Sequence, residues 1–132
     1  MCQSKTQTKM TENQISYAIR GAIYKTYNQF GPGLLESVYV ESLKYFLKKE
    51  GLNVKKEVPI PVYVGDQKLE VGFRIDLLVD DKVLIEVKSV ENLAKVHHKQ
   101  VLTYLKLAQI NLGILVNFNE VDINDGIFRK II

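Results

Sequence analysis

The chain is 132 residues long, 46% hydrophobic and 25% charged with a formal net charge of +3, which describes an ordinary soluble protein long enough to bury a core. No apolar run approaches the roughly 20 residues that span a membrane, and the single cysteine, Cys2, excludes an intramolecular disulfide, so we expect a cytoplasmic protein. The sequence holds no zinc finger, Walker loop, dinucleotide-binding glycine turn or Ser-His-Asp set, and the small positive charge predicts only modest affinity for nucleic acid.

The first ten residues are polar and carry no apolar leader segment, so residues 1–10 are predicted to form a loose tail. The remainder, residues 11–132, is expected to fold as a single domain. A first helix is predicted over residues 12–30, because Thr11 and Gln14 have the spacing of a capping box and apolar residues then recur on one side.

A second helix is predicted over residues 34–50, where Gly51 ends it. At about 100° per residue, the side chain of Glu36 projects between Leu43 and Leu47 on the apolar side of this helix. A carboxylate in a core-facing stripe is costly to bury unless it is paired or binds a metal. Glu36 is therefore a candidate functional residue.

Three strands are predicted next along the chain. The first, over residues 54–64, contains Pro59 and Pro61, which require an edge position or a bulge because proline cannot donate to the ladder. Residues 73–79 and 83–88 alternate apolar side chains with others, the period of two that is typical of strands with one core-facing side.

Asp76, Glu86 and Lys88 all fall on the side of these two strands that is opposite to the apolar residues. A two-residue turn would place Asp76 opposite Ile85 and on the other face from Glu86, because a one-residue slip inverts every side chain. A three-residue loop over residues 80–82 places Asp76 across from Glu86 instead. The sequence therefore predicts an odd-length loop or a bulge between the strands.

The charged side chains of this hairpin have two interpretations. Two carboxylates among apolar residues, with an ammonium group beside them, suit a divalent cation such as Mg²⁺, which takes oxygen ligands. Such a site suits phosphodiester hydrolysis. In the alternative, Asp76 is a solvated strand residue, while Glu86 and Lys88 form an ion pair on one face.

The third predicted helix covers residues 92–109. Gln100 lies on its inner arc with Tyr104 one turn further along, whereas Lys95 and Lys99 lie on the opposite side. Read without a function, Tyr104 is an ordinary core aromatic and the two lysines solvate a surface. In the functional interpretation, the lysines contact phosphates.

Two more strands complete the predicted fold. Residues 112–118 are an apolar run that is typical of a buried strand, and residues 127–132 form a short last strand. We therefore expect an α/β protein with element order α-α-β-β-β-α-β-β, in which helices pack on the faces of a central mixed sheet.

Four short motifs occur in order on these elements: Gly33-x-x-Glu36-x-x-Tyr39, Asp76, Glu86-x-Lys88 and Gln100-x-x-x-Tyr104. In this order they resemble the PD-(D/E)XK nuclease superfamily, including its RecB-like Q-x-x-x-Y element, and specifically the small bacterial GxxExxY proteins. The resemblance extends over residues 11–132 and implies a restriction-endonuclease-like core. One departure is Ile75, which stands where the superfamily pattern has a proline before Asp76; the superfamily tolerates this change.

The resemblance implies a role for each matched residue of the hairpin. Asp76 and Glu86 would bind the metal, which is Mg²⁺ with Mn²⁺ as a substitute, and the backbone carbonyl of Val87 would complete the protein's share of the ligands. Lys88 would hold or activate the attacking water and stabilise developing negative charge. Glu36 would bind or orient the metal through water.

By the same resemblance, Gln100 and Tyr104 support the active site and contact the DNA backbone, with Lys95 and Lys99 as further candidates for binding nucleic acid. The expected function is a metal-dependent nuclease that acts on DNA. The alternatives are a catalytically silent module that binds nucleic acid or protein on the same fold, and a structural protein whose charged residues form an ion-pair network. A homodimer or a protein partner is a further hypothesis, because a domain this small has no added recognition element.

Overall fold

A computed structural model describes residues 10–132, so the predicted tail lies outside the described residues except for Met10. Helix α1 covers Glu12–Phe30, and its start is capped as the sequence predicts. The Thr11 hydroxyl accepts from the Gln14 N–H at 3.1 Å, and the Gln14 side chain accepts from the Thr11 N–H at 2.9 Å. This reciprocal pair satisfies two backbone donors that a helix start leaves open.

Helix α2 covers Glu36–Lys49 and begins at Glu36 rather than at residue 34. Leu35 has an extended backbone, with φ −68° and ψ 149°, and precedes the first helical residue. The Leu34 N–H donates to the Tyr39 hydroxyl at 3.1 Å. The chain therefore bends over residues 32–34 and enters α2 through the extended Leu35.

The predicted first strand is shorter than expected. Strand β1 covers Val54–Ile60, and Tyr63–Val64 (β2) then pairs with Gln67–Lys68 (β3) in a separate two-stranded sheet. β1 lies at an edge of the main sheet. The predicted edge position is confirmed, and Pro61, which has no N–H to donate, falls just beyond the end of the strand.

The remaining elements occur in the predicted order. They are β4 (Phe73–Val79), β5 (Val83–Lys88), α3 (Lys95–Ala108), β6 (Leu112–Asn117), a short 3₁₀ helix (Ile123–Gly126) and β7 (Ile127–Ile131). Helix α3 begins later than residue 92, because the ring of His97 caps it: the His97 Nδ1 accepts from the Ala94 N–H at 3.0 Å.

The main sheet has the strand order β1-β4-β5-β6-β7. Neighbouring strands are antiparallel except for β5 and β6, which are parallel. A parallel pair needs a crossover connection, and α3 provides it. The structure therefore confirms the predicted α/β class, with a five-stranded mixed sheet flanked by helices in a restriction-endonuclease-like arrangement. Between residues 10 and 132, no helix is long and apolar enough to cross a membrane.

The centre of the sheet, β5, β6 and the second half of β4, is buried on both faces, whereas the sequence predicted one core-facing side for β4 and β5. The odd-numbered residues of β5 pack beneath α1 and α2. On the other face, Leu84 packs beneath α3 against Val101 and Leu105. The prediction of a single buried face was wrong because α3, which follows later in the chain, covers the second face. Glu86 lies on that second face and is buried with it.

Candidate active site

The turn between β4 and β5 sets the register of the site. Val79 pairs with Val83, so the loop has three residues, and the ladder continues to the pair Leu77 and Ile85. Two of the loop residues have left-handed backbones, with φ 52° at Asp80 and 55° at Asp81. The predicted odd-length loop is confirmed, and the register brings Asp76 opposite Glu86.

The β4–β5 ladder ends where these two acidic residues lie opposite each other. From there the carboxylates, rather than backbone carbonyls, accept the hydrogen bonds between the two strands. The Asp76 N–H donates to Glu86 Oε1 at 3.1 Å, and the Val87 N–H donates to Asp76 Oδ2 at 2.8 Å. Each carboxylate thus uses one oxygen to bind the opposite strand. Within the described residues, the second oxygen of each carboxylate accepts no hydrogen bond and is available to a ligand.

Burial changes the acid–base behaviour of both groups. Glu86 is only 3% exposed; burial, followed by the charge of nearby Asp76, raises the pKa of Glu86 to about 8. The pKa of half-buried Asp76 is also raised, mainly by burial, while the Val87 N–H and the charge of Lys88 act in the opposite direction. Two carboxylates in one low-dielectric site are costly to ionise together without a compensating cation.

The residues at this position fit a hard divalent cation. Asp76 and Glu86 provide oxygen donors, and the Val87 carbonyl points to the same gap, because the N–H and C=O of one strand residue face the same neighbouring strand. No group of three Asp, Glu, His or Cys side chains within residues 10–132 is close enough to hold a metal by itself. Mg²⁺ commonly binds one or two carboxylates and keeps several waters, so the smaller ligand set suits it.

Lys88 follows Val87 and lies half-buried at the end of β5. Its charge lowers the pKa values of both Asp76 and Glu86, which shows that the three groups are close. Among the described residues, Lys88 forms no ion pair. The predicted alternative of a Glu86–Lys88 ion pair is therefore wrong, and the ammonium group is not tied to either carboxylate.

Glu36 reaches the same site from α2 but is exposed, and the prediction that it occupies a buried position was wrong. It is the first residue of the helix and lies outside the hydrophobic core, because the buried residues of α2 begin only at Tyr39. Its Oε2 accepts from the Ser89 N–H at 3.3 Å. Its charge contributes to the raised pKa values of both Asp76 and Glu86, so it lies within electrostatic range of them.

Helix α3 brings Tyr104 to the other side of the site. Tyr104 is buried, with its ring 5.2 Å from that of Phe73. Its pKa is raised by burial and then by the charges of Glu86 and Asp76, so its hydroxyl lies near both carboxylates. Gln100 is half-buried one turn earlier on α3.

The candidate phosphate contacts lie at the start of α3. Lys95 and Lys99 are exposed there, and the structure shows no contact that assigns either lysine a role.

A family model of the PD-(D/E)XK nuclease superfamily matches residues 13–130. The chain belongs to this superfamily. No curated protein and no solved structure gives a match. Members of the superfamily are typically nucleases that use divalent metals, so membership indicates a nuclease-type phosphodiesterase that binds nucleic acid. The finer resemblance to the GxxExxY proteins stays a prediction.

Asn117 is a buried residue beside the site that the sequence did not single out. It is fully buried, and its side chain accepts from the Val90 N–H at 3.0 Å and donates to the Val90 carbonyl at 2.9 Å. The Phe118 N–H donates to the Lys88 carbonyl at 2.9 Å. These bonds extend the β5–β6 pairing past the end of β5 and hold the backbone that follows Lys88. A polar residue inside the apolar run 112–118 was the signal that could have identified it.

Tyr39 is the last residue of the Gly33-x-x-Glu36-x-x-Tyr39 motif. Its contacts are structural, and its side chain does not join Asp76 and Glu86. Its hydroxyl donates to the Gly31 carbonyl at 2.6 Å, and its ring stacks on Phe118 at 4.2 Å. The Ser89 hydroxyl donates to the Leu34 carbonyl at 2.7 Å. The turn before Glu36 is thus joined to the segment after Lys88.

Glu57 is a second acidic residue that the sequence analysis did not single out. It lies on β1 opposite Asp76 in the register, and it has a left-handed φ of 54°. Its charge contributes to the raised pKa of Asp76. Glu57, Glu36 and Asp76 line a cleft of about 200 Å³ between α2 and β1. No sequence pattern distinguishes Glu57 from an ordinary exposed strand residue.

Proposed function

We propose that the protein is a Mg²⁺-dependent deoxyribonuclease, with Mn²⁺ able to replace Mg²⁺. The observation that carries this proposal is the pair Asp76 and Glu86, held opposite each other at the end of the β4–β5 ladder by reciprocal backbone hydrogen bonds. Each carboxylate keeps one oxygen for a ligand, and burial raises the pKa of each, so a bound cation would offset the cost of ionising both groups. Asp76, Glu86 and the Val87 carbonyl would hold the cation.

A bound divalent cation supplies polarisation of a phosphoryl oxygen and lowers the pKa of a water molecule. The chain's own residues position the other reactants. Lys88, which is not tied to a carboxylate, holds the attacking water and offsets the negative charge that develops on the phosphate. Glu36 orients water at the mouth of the site, where its carboxylate is exposed.

The DNA backbone is proposed to approach between α2 and α3. Tyr104 presents its hydroxyl beside the carboxylates, and Gln100 lies one turn away on the same helix face. Lys95 and Lys99 would contact phosphates further along, because exposed ammonium groups provide most of the sequence-independent affinity for nucleic acid.

The test is cleavage of labelled single-stranded, double-stranded and branched DNA with Mg²⁺, with Mn²⁺ and with EDTA. We expect metal-dependent cutting that Asp76→Ala abolishes. The matched control is Asp66→Ala, which removes an exposed carboxylate from the β2–β3 turn and should leave cutting unchanged. Binding of DNA without cutting, by a protein with native circular dichroism, would refute the nuclease and favour a silent nucleic-acid-binding module.

We also propose that residues 11–132 form one domain, that the protein works in the cytoplasm, and that a second copy or a partner protein helps to choose the substrate. The lone cysteine supports the location. The small size of the domain supports a partner. A monomeric mass by analytical ultracentrifugation, together with efficient unaided cleavage, would contradict the proposed partner.

A further inference from the structure

Helix α2 and the residues just before it carry exposed apolar side chains. Leu35 is 74% exposed and Tyr45 is 56% exposed, and Phe30, Leu34 and Val38 each expose more than a third of their surface. Phe30, Val38 and Tyr45 line a groove of about 910 Å³ along this face, which we call the α2 groove. An exposed groove with apolar lining residues of this kind marks an interaction site more often than a free surface.

The α2 groove leads directly into the candidate active site. Ser37, Glu41 and Lys56 line both the groove and the cleft that contains Asp76. From Ser37 to Tyr45 the helix rises by about 12 Å at 1.5 Å per residue. A ligand that reaches the carboxylates from this side would therefore run along about 12 Å of α2, which is room for about three phosphates at the roughly 3.4 Å spacing of one stacked strand.

The charges beside the groove complement a phosphate backbone. Lys49 Nζ lies 5.4 Å from the centroid of the Tyr45 ring. Lys48 is close enough to Glu41 to lower its pKa, and Lys56 is hydrogen-bonded to Glu41 as an ion pair. Lys56 compensates the charge of Glu41 and lies near Glu57 as well, so Lys48 and Lys49 are the positive charges that would meet phosphates in the groove. These positive charges would repel a second copy of this face.

The apolar side chains that line the α2 groove favour binding of an unpaired strand over binding of a duplex. A duplex keeps its bases stacked inside and presents sugars and phosphates, whereas an unpaired base offers a flat π face to an exposed aromatic ring. We propose that the α2 groove binds an unpaired segment of the substrate strand, with a base stacked on Tyr45 and phosphates on Lys48 and Lys49. This inference rests on the proposed function, and it names the substrate class as DNA with a single-stranded segment next to the cleavage site.

Binding without cleavage tests the groove by itself. Fluorescence anisotropy of a labelled 12-nucleotide oligo(dT), and of a blunt duplex of the same length, is measured in EDTA for the full chain. We expect Tyr45→Ala to weaken oligo(dT) binding by roughly fivefold or more and to leave duplex binding unchanged. Tyr45→Phe, which retains the ring, should bind like the native chain.

The matched control for the aromatic side chain is Tyr17→Ala. Tyr17 is 82% exposed on α1 and lines a different groove, so its loss should not alter oligo(dT) binding. Lys49→Gln should lower the slope of log affinity against log salt by about 0.7, the value for one phosphate contact on a single strand. Both aromatic positions are exposed helix sites where alanine is favoured, and circular dichroism checks the fold of each variant.

Several results would overturn the inference: no oligo(dT) binding at low salt, equal loss in Tyr45→Ala and Tyr17→Ala, or no loss in Tyr45→Ala. A dimer that Tyr45→Ala dissociates would also overturn it, because the groove would then bind a second copy. Mg²⁺-dependent cleavage of the same DNA separates this inference from the proposed function. If the native chain cleaves DNA but Tyr45→Ala binds oligo(dT) normally, only the proposed role of the groove is refuted. If Tyr45→Ala weakens binding but the native chain does not cleave, only the proposed nuclease activity is refuted.

Discussion

At the scale of single residues, Glu86 is a deeply buried ionisable group that forms no ion pair with any residue the structure describes. Its pKa is raised from 4.5 to about 8, so the folded protein holds this proton at pH values where the unfolded chain has lost it. Between these two pH values the folded state binds more protons, and the free energy of unfolding must fall as pH rises. Asp76, whose pKa is also raised, contributes with the same sign.

We therefore expect the metal-free protein to lose stability as the pH rises from about 4.5 to about 8, by up to about 1.4 kcal/mol per pH unit from Glu86. Glu86→Gln, which is neutral at every pH, should reduce this slope and should be more stable than the native chain at pH 8. Urea unfolding in EDTA, followed by circular dichroism at several pH values, measures both effects. A slope that is the same in the variant would contradict the burial of an unpaired carboxylate.

Asn117 is the second residue with a specific expected effect. Replacing it with alanine leaves the part-buried N–H and C=O of Val90 without the Asn117 side chain as their partner, which should cost about 2–4 kcal/mol of unfolding free energy. The control is Asn111→Ala at an exposed position, which should change stability by less than about 0.5 kcal/mol. Chemical denaturation of both variants is the measurement, and equal stability of the two would show that the Asn117 bonds are unimportant.

At the scale of elements, the approach of α3 to the sheet fixes the position of Tyr104. Gly113 on β6 allows this approach, since an added Cβ would lie 3.1–3.3 Å from the side chains of Leu84, Val101 and Leu105. A larger residue at this position would push α3 outwards. The helix that presents Gln100 and Tyr104 thus depends on a glycine in a strand that it crosses.

We expect Gly113→Val to destabilise the fold by about 1–3 kcal/mol through overpacking and to lower cleavage by displacing Tyr104. The control is Gly21→Ala on α1, where nothing within residues 10–132 lies within 4 Å of the added Cβ; alanine there should stabilise the helix by about 0.5–1 kcal/mol. Thermal unfolding distinguishes the two substitutions. A stabilised Gly113→Val variant would show that α3 does not pack closely on β6.

The sequence predicts some of these elements better than others, for physical reasons. The β4–β5 register follows from whether the number of loop residues is odd or even. In a hairpin without a bulge, only an odd number brings Asp76 and Glu86 to one face of the sheet. The start of α2 at Glu36 depends on contacts that no local pattern reveals, whereas the end of β1 at Ile60 coincides with Pro61, a local signal that the predicted bounds of 54–64 passed over. The start of α2 lies beside the hydrogen bond from the Leu34 N–H to the Tyr39 hydroxyl. Hydrophobic periodicity of 3.6 residues does not predict such a bond.

At the scale of the whole molecule, the order of elements and the mixed sheet were predictable, because hydrophobic periodicity and turn residues are local signals. Burial of the site was not predictable in the same way. Glu36 was expected to be buried and is exposed, whereas Glu86 was placed on the side away from the core and is buried. Both outcomes depend on how helices lie across the sheet, and the sequence pattern of one element does not contain that information.

Asp76 and Glu86 are proposed to bind the cation, while Lys88 is proposed to hold the attacking water and not to bind the cation. The most direct test compares the native chain with Lys88→Met, measuring Mn²⁺ binding by titration calorimetry and DNA cleavage at the same pH. We expect Lys88→Met to bind Mn²⁺ with the affinity of the native chain and to cleave DNA at a rate at least roughly 100-fold lower. Native rates of cleavage by Lys88→Met, or loss of its Mn²⁺ binding, would contradict the account.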